Sequence, residues 1–277
     1  MKKTYLINTK SNLHVGAGNS NYGVIDNLVQ RDPTDDFPTV LSSSLKGSFR
    51  EFFKGIQEKP KTEEVFGGED NGRSTFVLSE AHLLGIPVRS NKYPYFMATS
   101  PYLLQKFKSM IVEDYKISVS KAMVDVLDIL SKVDVDSEQA LLIAKDPEHG
   151  LVIEDFTAIG RFPEQVNAAD NVILGQLQIL FGNKSSIVLL SDEDMQYQCG
   201  DYALPVLARN SLEDGRSTNL WYEQIVPREA VFYFVLETDG NTHELASLLD
   251  NNPSIQVGAN ASIGYGRCQI SKISFNS

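Results

Sequence analysis

Two residues near the start of the chain could do acid–base or metal chemistry, and a glycine-bearing loop separates them. His14 opens the run His14-Val15-Gly16-Ala17-Gly18, and Asp26 closes the run Gly23-Val24-Ile25-Asp26. An imidazole can take a proton from a hydroxyl, and a loop carboxylate can accept a proton or hold a divalent cation. The alternative is that Asp26 is a solvated residue or makes an Asx turn.

A second candidate site lies at the start of a predicted helix. Ser44 is a favourable N-cap residue, so we predict a helix from 45 to about 56. The apolar stripe of this helix consists of Leu45, Phe49, Phe52 and Phe53. Free N–H groups at a helix start attract phosphate, and Lys46 and Arg50, four residues apart, share one face beside it. The alternative is a capped surface helix with two solvated cations.

A glycine-rich loop precedes the last predicted strand. It contains Gly258, Gly264 and Gly266 and ends at Arg267. Glycines let a backbone approach a ligand closely and present its N–H groups. The loop has neither the G-x-G-x-x-G pattern of dinucleotide sites nor the G-K-[ST] ending of a P-loop. The alternative is an ordinary tight turn.

The run Trp221-Tyr222-Glu223 places two aromatic rings beside a carboxylate. Aromatic side chains can stack on the bases of an RNA strand, with Glu223 as a second polar group near the site. The alternative is a strand whose aromatic residues, Trp221 above all, pack in the core.

Composition limits the class of protein. Of 277 residues, 42% are hydrophobic and 22% are charged, so a packed core is feasible and wholesale disorder is excluded. No apolar run approaches the ~20 residues that a membrane span needs. The apolar run at the N terminus is too short for a signal peptide, so we expect a cytoplasmic protein without a membrane partner. Cys199 and Cys268 form no C-x-x-C pair and the four histidines are scattered, which excludes a disulfide scaffold and a zinc finger.

The charge distribution matters more than the net charge of −11. Residues 1–92 hold 12 Lys or Arg and 11 Asp or Glu, whereas residues 93–277 hold 13 and 25. Residues 113–155 alone hold 4 basic and 11 acidic residues. The N-terminal third could therefore present a basic face to nucleic acid although the whole chain is acidic.

The elements that must position these residues alternate between strands and helices. We predict strands at 3–15, 74–86 and 229–237, a helical region at 100–140, a short helix at 242–251 and a final strand within 255–275. Residues 149–160 and 173–181 are strand-like or mixed, and 191–224 is polar and irregular. With insertions set aside, this order fits an α+β fold with a ferredoxin-like β-α-β-β-α-β core.

Several motifs, taken in order, resemble one known family. These are Leu13-His14-Val15-Gly16-Ala17-Gly18, Gly23-Val24-Ile25-Asp26 with Val29-Gln30-Arg31, Phe37-Pro38-Thr39-Val40, Ser43-Ser44-Leu45-Lys46-Gly47-Ser48-Phe49-Arg50, Leu220-Trp221-Tyr222-Glu223 with Pro227, and the loop from Gly258 to Gly266. Their order and spacing resemble those of RAMP-superfamily backbone subunits, in particular the Cmr type of type III-B CRISPR effector complexes. Residues 85–200 match only in length and general character.

The resemblance implies a fold and a set of partners. It implies one RAMP domain over 1–277, formed by a modified RNA-recognition-motif palm, a helical finger insertion at about 85–150 and a thumb β-hairpin at about 190–222. It implies copies of the chain stacked as a filament along a guide RNA (crRNA), together with other CRISPR effector subunits. Each thumb displaces one nucleotide, and each copy cuts the complementary target RNA beside it.

The resemblance also assigns residues. The cleavage aspartate matches Asp26, and His14, Tyr222 and Glu223 lie in motifs near the cutting loop, so these four are the expected catalytic residues. Asp26 would hold a divalent metal, Mg²⁺ or Mn²⁺, or accept the proton of a 2′-hydroxyl. The expected RNA-binding residues are Lys46, which matches the helix-start lysine of the family, with Arg50, Ser44, Gly258, Gly264, Gly266 and Arg267.

Two other functions compete with a target-RNA endoribonuclease. One is an RNA-scaffold subunit that does not cleave, and the presence of Asp26 in its motif argues against it. The other is a stand-alone guide-processing RAMP endonuclease with His14 as general base. We identify no second basic or tyrosine partner for His14 in the sequence, so this function ranks last.

Overall fold

The computed structural model describes residues 1–18, 23–68, 72–143, 148–160, 170–182, 186–240 and 243–275. The chain forms two compact units, which we call the terminal unit (Met1–His82 with Cys199–Lys272) and the middle unit (Leu83–Gln198 with Ile273–Ser277). The interpretation of the chain as one domain with insertions stays a prediction.

Strands and helices alternate along the described chain. The strands are β1 (Lys2–Thr9), β2 (Thr39–Val40), β3 (Phe76–Leu78), β4 (Ala81–Val88), β5 (Phe96–Thr99), β6 (Gln139–Leu142), β7 (Val152–Ile153), β8 (Phe156–Gly160), β9 (Ile187–Leu189), β10 (Val206–Glu213), β11 (Arg216–Gln224), β12 (Val231–Thr238), β13 (Ser254–Gln256) and β14 (Arg267–Lys272). The α-helices are α1 (Ser42–Lys54), α2 (Lys59–Phe66), α3 (Pro101–Lys108), α4 (Lys121–Leu130), α5 (Asp170–Phe181), α6 (Asp192–Gln198) and α7 (Glu244–Asp250). Within the described ranges, no helix has both the length and the apolar character to cross a bilayer.

The terminal unit is built on an antiparallel sheet with the order β13-β14-β1-β12, and β3 pairs with β12. The run from Val231 to Leu236 forms the buried centre of β12 because β-branched and aromatic residues suit a buried strand. On one side, α1 buries Leu45, Phe49 and Phe53. The Phe49 ring lies 5.5 Å from the Phe234 ring of β12. The mixed α and β content predicted from the sequence is therefore confirmed.

The predicted strand at 3–15 is too long, because β1 ends at Thr9. The backbone N–H groups of Lys10 and Ser11 both donate to the Arg267 carbonyl, at 2.7 and 3.3 Å, so the regular ladder stops there. The chain then turns, and Leu13 makes an isolated bridge to Val226. His14 consequently lies in a loop and not in a strand.

The predicted N-cap at Ser44 is wrong. Helix α1 begins at Ser42, with Leu41 (φ −56°, ψ 145°) at the N-cap and no side-chain capping bond. Ser44 lies in the first helical turn, and its carbonyl accepts a 3.0 Å hydrogen bond from the Ser48 hydroxyl. The extended segment β2 leads directly into the helix, so Ser42 and Ser43 already have helical conformation.

The middle unit contains the strand order β4-β5-β9-β6-β8-β7, in which β5 pairs parallel with β9 and β6 with β8. The helical prediction for 100–140 is confirmed in large part. Helix α3 is capped by Ser100 and α4 by Ser120, each accepting a backbone N–H of its first turn. Strand β6 follows α4 and was not predicted.

Two regions differ from the sequence prediction. Residues 173–181 are helical in α5, because Ile173, Leu177 and Leu180 are all buried on one face at helical spacing. The region 191–224, predicted as irregular, contains α6 and the hairpin β10–β11. The turn residues Asp214 and Gly215 both have positive φ, 49° and 76°, as a two-residue hairpin turn requires.

Cys199 and Cys268 are free and buried, and burial raises the pKa of both thiols.

Candidate functional site

The loop that carries Asp26 is held against strand β11 at Tyr222. The backbone N–H groups of Asp26 and Asn27 both donate to the Tyr222 carbonyl at 3.1 Å. In return, the Tyr222 N–H donates to Oδ2 of Asp26 at 2.7 Å, and Asn27 forms a parallel bridge with Glu223. These bonds fix the position of the Asp26 carboxylate although the residue is exposed.

Tyr222 and Asp26 are therefore neighbours at the surface of the terminal unit, as the motif resemblance predicts. Tyr222 is 38% exposed, so its ring is accessible to a ligand. It lies on the hairpin opposite Ala208 of β10. An exposed ring beside a fixed carboxylate can contact a base while the carboxylate faces the sugar and phosphate.

His14 is placed differently from Asp26. It is only 5% exposed, and its Nδ1 lies 2.7 Å from the carbonyl oxygen of Gln224. A carbonyl oxygen can only accept, so Nδ1 carries the hydrogen. The other ring nitrogen, Nε2, lies 3.7 Å from Oε1 of Glu223. His14 therefore contacts strand β11 from the buried interior of the terminal unit.

Glu223 is a buried carboxylate whose Oε2 has two hydrogen-bond donors. It is 4% exposed, and its Oε2 accepts hydrogen bonds from Arg209 Nη1 at 3.0 Å and from Asn260 Nδ2 at 2.8 Å. The Arg209 guanidinium also lies 5.6 Å from the Trp221 ring and 5.9 Å from the Tyr265 ring. Glu223 therefore connects the hairpin to the glycine-rich loop.

A cleft of about 620 Å³ lies between three segments of the terminal unit. Its lining includes Val15 and Gly16 of the N-terminal loop, Ser44, Gly47 and Ser48 of α1, and Gly258 of the glycine-rich loop. Gly258 has φ +75°, and a Cβ there would collide with the His14 carbonyl. The cleft thus brings together Ser44 and Gly258, two of the predicted RNA-binding residues.

The two predicted cations of α1 are not among the residues that line this cleft. Lys46 is half-buried, with its Nζ 5.7 Å from the centre of the Phe76 ring. Arg50 is half-buried as well, and within the described part of the chain it makes no ion pair. The start of α1 and its two cations therefore form two separate candidate contacts for a phosphate, not the single site predicted from the sequence.

The remaining predicted residues of the glycine-rich loop shape its backbone. Gly266 is buried with φ +71°, and a Cβ there would collide with the Val257 carbonyl. Gly264 ends a short 3₁₀ turn at φ +85°. Arg267 donates through Nε to the Ser254 hydroxyl at 3.2 Å.

The side chains around Asp26 do not fit a preformed divalent-metal site. Among the described residues, no three His, Cys, Asp or Glu side chains are grouped as ligands. Oδ2 of Asp26 already accepts the Tyr222 N–H. Asp32 and Asp35, which follow in the sequence, accept backbone N–H groups of their own turn at 2.9 and 3.2 Å.

Sequence reasoning missed Arg209, Asn260, Tyr265 and Gly47 as parts of the site. The first three act together only because the hairpin and the glycine-rich loop meet at Glu223, which no local pattern indicates. Gly47 could have been identified from the sequence, because a glycine inside a helix lowers stability and its presence there suggests a role in packing or binding.

Two known proteins resemble this chain over almost its whole length. The chain is 25% identical over 293 residues to the "CRISPR system Cmr endoribonuclease Cmr4" of Pyrococcus furiosus, covering 97% of this chain and 95% of that protein. It is 24% identical over 307 residues to the "CRISPR system CMR subunit Cmr4" of Saccharolobus solfataricus, with the same coverage.

Solved structures have the same fold. A chain in the cryo-EM structure of "Type III-B Cmr-beta bound to cognate target RNA" matches with a TM-score of 0.75 and 20% identity, covering 99% of this chain and 97% of that one. A chain of "oligomeric Cmr4 from Pyrococcus furiosus" matches with a TM-score of 0.70 and 18% identity, covering 99% and 100%. The RAMP-superfamily sequence profile matches residues 6–269, almost the whole chain, and the chain belongs to the RAMP superfamily.

Proposed function

We propose that this chain is a backbone subunit of a type III-B Cmr effector complex that binds guide RNA and cleaves complementary target RNA. The observation that carries the proposal is the exposed carboxylate of Asp26, held by Tyr222 in the motif where the family has its cleavage aspartate. Both relatives are Cmr4 proteins and one is named an endoribonuclease, which supports the same activity.

The architecture supports an assignment of parts. We assign the palm to the terminal-unit sheet with α1 and α7, because β1, α1, β3, β12, α7 and β14 follow one another in β-α-β-β-α-β order. The hairpin β10–β11, with its mostly exposed residues, is the thumb. Helices α3 and α4 of the middle unit belong to the fingers.

Guide RNA would lie along the cleft between α1 and the glycine-rich loop. The cleft offers backbone groups, two serine hydroxyls and three glycines, and its lining also includes Glu51, whose charge is offset by Lys54 at 2.6 Å. Backbone groups and hydroxyls suit the sugar and phosphate of a strand better than a base edge. Pairing between guide and target supplies the sequence specificity, so the protein needs only backbone and shape contacts. The oligomeric relative supports copies of the chain arranged side by side along one guide, with the other effector subunits as further partners.

The chemistry requires one proton acceptor beside the 2′-hydroxyl. Oδ1 of Asp26 accepts no hydrogen bond from any described residue, so it is available to take that proton. The 2′ oxygen attacks the adjacent phosphorus in line, and the bond from phosphorus to the 5′ oxygen breaks. The leaving oxygen takes a proton from water. The products are a 2′,3′-cyclic phosphate and a 5′-hydroxyl.

A divalent metal remains a proposal that rests on the family resemblance. The side chains near Asp26 do not supply a ligand set, so no step above depends on an ion. Cleavage with and without an excess of chelator tests the requirement directly. Full activity in chelator would refute metal dependence and leave the role of Asp26 intact.

The test of the proposed function is Asp26→Asn in the assembled complex. Asn keeps the shape of the side chain and loses its charge, so target cleavage should fall below detection while guide binding and assembly persist. Asp239→Asn, at an exposed turn after β12, is the matched control and should cleave normally. If Asp26→Asn cleaves like the parent, the cleavage role is wrong, and a parent complex that binds but never cuts would indicate a scaffold subunit.

A further inference from the structure

We infer that Gln224 is a positioning residue that holds the Asp26 segment in its cutting geometry, an inference that rests on the proposed function. Gln224 ends strand β11, two residues after Tyr222, and its exposed fraction is 0%. A fully buried amide needs partners for both its oxygen and its nitrogen. These partners lie on two segments distant in sequence from β11.

One set of contacts fixes the Asp26 segment itself. The Gln224 backbone N–H donates to the Asn27 carbonyl at 2.9 Å, and its side-chain Oε1 accepts the Val29 N–H at 3.2 Å. The Val29 N–H can only donate, so the amide oxygen must face it. Tyr222 thus holds Asp26 and Asn27, and Gln224 holds Asn27 and Val29. Two residues of β11 therefore fix this loop at several points.

The opposite end of the amide reaches a second anchor. Nε2 of Gln224 lies 3.4 Å from Oδ1 of Asp201, and the same oxygen accepts a hydrogen bond from Arg31 Nη2 at 3.1 Å. Arg31 also donates to the Asp36 carbonyl at 2.7 Å. The side chain of Gln224 thus bridges Val29 to Asp201, which in turn holds Arg31, two residues after Val29.

The backbone carbonyl of Gln224 makes a further contact, because it accepts the hydrogen bond donated by Nδ1 of His14. This bond and the bond to Asn27 are made by the backbone, so they survive substitution of the side chain. The side chain alone adds the bonds to Val29 and Asp201. Its removal should free the Val29 end of the Asp26 segment, whereas Leu28 and Gln30 stay hydrogen-bonded to Ala17 and Val15 and the hairpin and the cleft keep their structure.

The expected effect is a slower cut with unchanged guide binding. Gln224→Met fills a similar volume and makes neither side-chain bond. Because small misplacements of a reacting group cost large factors in rate, we expect the single-turnover cleavage rate to fall roughly 10- to 100-fold. Asp201→Ala, at an exposed residue, removes only the outer anchor and should lower the rate a few-fold.

The experiment compares Gln224→Met, Asp201→Ala, Asp26→Asn and the parent in assembled complexes with saturating guide and excess complex over target. Thr99→Val is the matched control, because Thr99 is also fully buried and its hydroxyl donates one bond, to Leu84, in the middle unit. It should lower the unfolding midpoint and leave the cleavage rate within two-fold of the parent.

The outcomes separate the inference from the proposed function. Slow cleavage with parental guide affinity in Gln224→Met supports the inference. Parental rates in both Gln224→Met and Asp201→Ala, with Asp26→Asn inactive, overturn it and leave the function standing. If Gln224→Met does not assemble, the Asp201→Ala rate decides in the same way. Full activity of Asp26→Asn would instead refute the proposed function.

Discussion

Arg209 donates a 3.0 Å hydrogen bond to the Glu223 carboxylate, and this pair joins the hairpin to the glycine-rich loop through Asn260. The Glu223 side chain is 6% exposed and that of Arg209 is 21% exposed, so water screens the pair only partly. A carboxylate buried to this degree is stable only while its cation and its hydrogen-bond donors remain in place.

The first prediction follows from this pair. Arg209→Met should leave the Glu223 charge with Asn260 as its main donor and destabilise the fold by about 3 kcal/mol. Arg216→Met, at an exposed position of the same hairpin, should stay within about 0.5 kcal/mol of the parent. Urea unfolding monitored by Trp221 fluorescence measures both. Equal unfolding midpoints for the two variants would show that the Arg209–Glu223 pair is not a structural link.

The second prediction concerns the cations of α1. Lys46→Ala should weaken guide-RNA binding and reduce the slope of log affinity against log salt by about 0.7, the value of one phosphate contact to a single strand. Arg50→Ala should have the same effect to a smaller degree, because Arg50 is one turn further from the helix start. Lys59→Ala, whose side chain is 85% exposed on α2, is the control. Salt titrations of the α1 variants that overlay the parent would contradict a phosphate contact there.

The third prediction uses Gly47, which lies inside α1 and lines the cleft. A Cβ at this position meets nothing within 4 Å, so Gly47→Ala should stabilise the fold by about 0.5–1 kcal/mol through helix propensity. If guide RNA occupies the cleft closely, the same methyl group should weaken guide binding. Stability and affinity are then expected to change in opposite directions.

The control for Gly47 lies in the middle unit. Gly175 of α5 is also a helical glycine with nothing within 4 Å of an added Cβ. Gly175→Ala should stabilise the protein to a similar extent and leave guide affinity unchanged. Parental guide affinity in Gly47→Ala would mean that RNA does not approach α1 at this point.

Strong local patterns explain which parts of the fold could be predicted. The run from Val231 to Leu236 and the apolar stripe of α1 indicate their elements without help from distant residues. The prediction of Ser44 as the N-cap was wrong because the helix already begins at Ser42, and Leu41, not a serine, occupies the N-cap position. The hairpin β10–β11 was missed from the pattern, because its polar strands outweighed the turn signal of Asp214-Gly215, and only the family resemblance implied a hairpin in this region.

The candidate site likewise contains some residues that could be predicted from the sequence and others that could not. The family resemblance implied that Tyr222 lies near Asp26, although their sequence separation is large. The Arg209–Glu223 pair and the Gln224 amide could not be predicted, because both depend on tertiary contacts between the hairpin and loops far away in the chain. Burial of His14 and Glu223 also follows from those contacts and not from residue type.

The last prediction identifies the nucleophile. If the neighbouring 2′-hydroxyl attacks and Asp26 takes its proton, a single 2′-deoxy substitution in the target should block cleavage at that position and leave the other cuts intact. The products should end in a 5′-hydroxyl and in a 2′,3′-cyclic or 3′ phosphate. Hydrolysis by water with two metals usually needs several clustered carboxylates, whereas Asp32 and Asp35 are engaged in turns of their own loop. End-group analysis of fragments from the parent complex, with the deoxy target alongside, distinguishes the two reactions. A 5′-phosphate product, or normal cutting at the deoxy position, would refute internal attack and require a water nucleophile at Asp26.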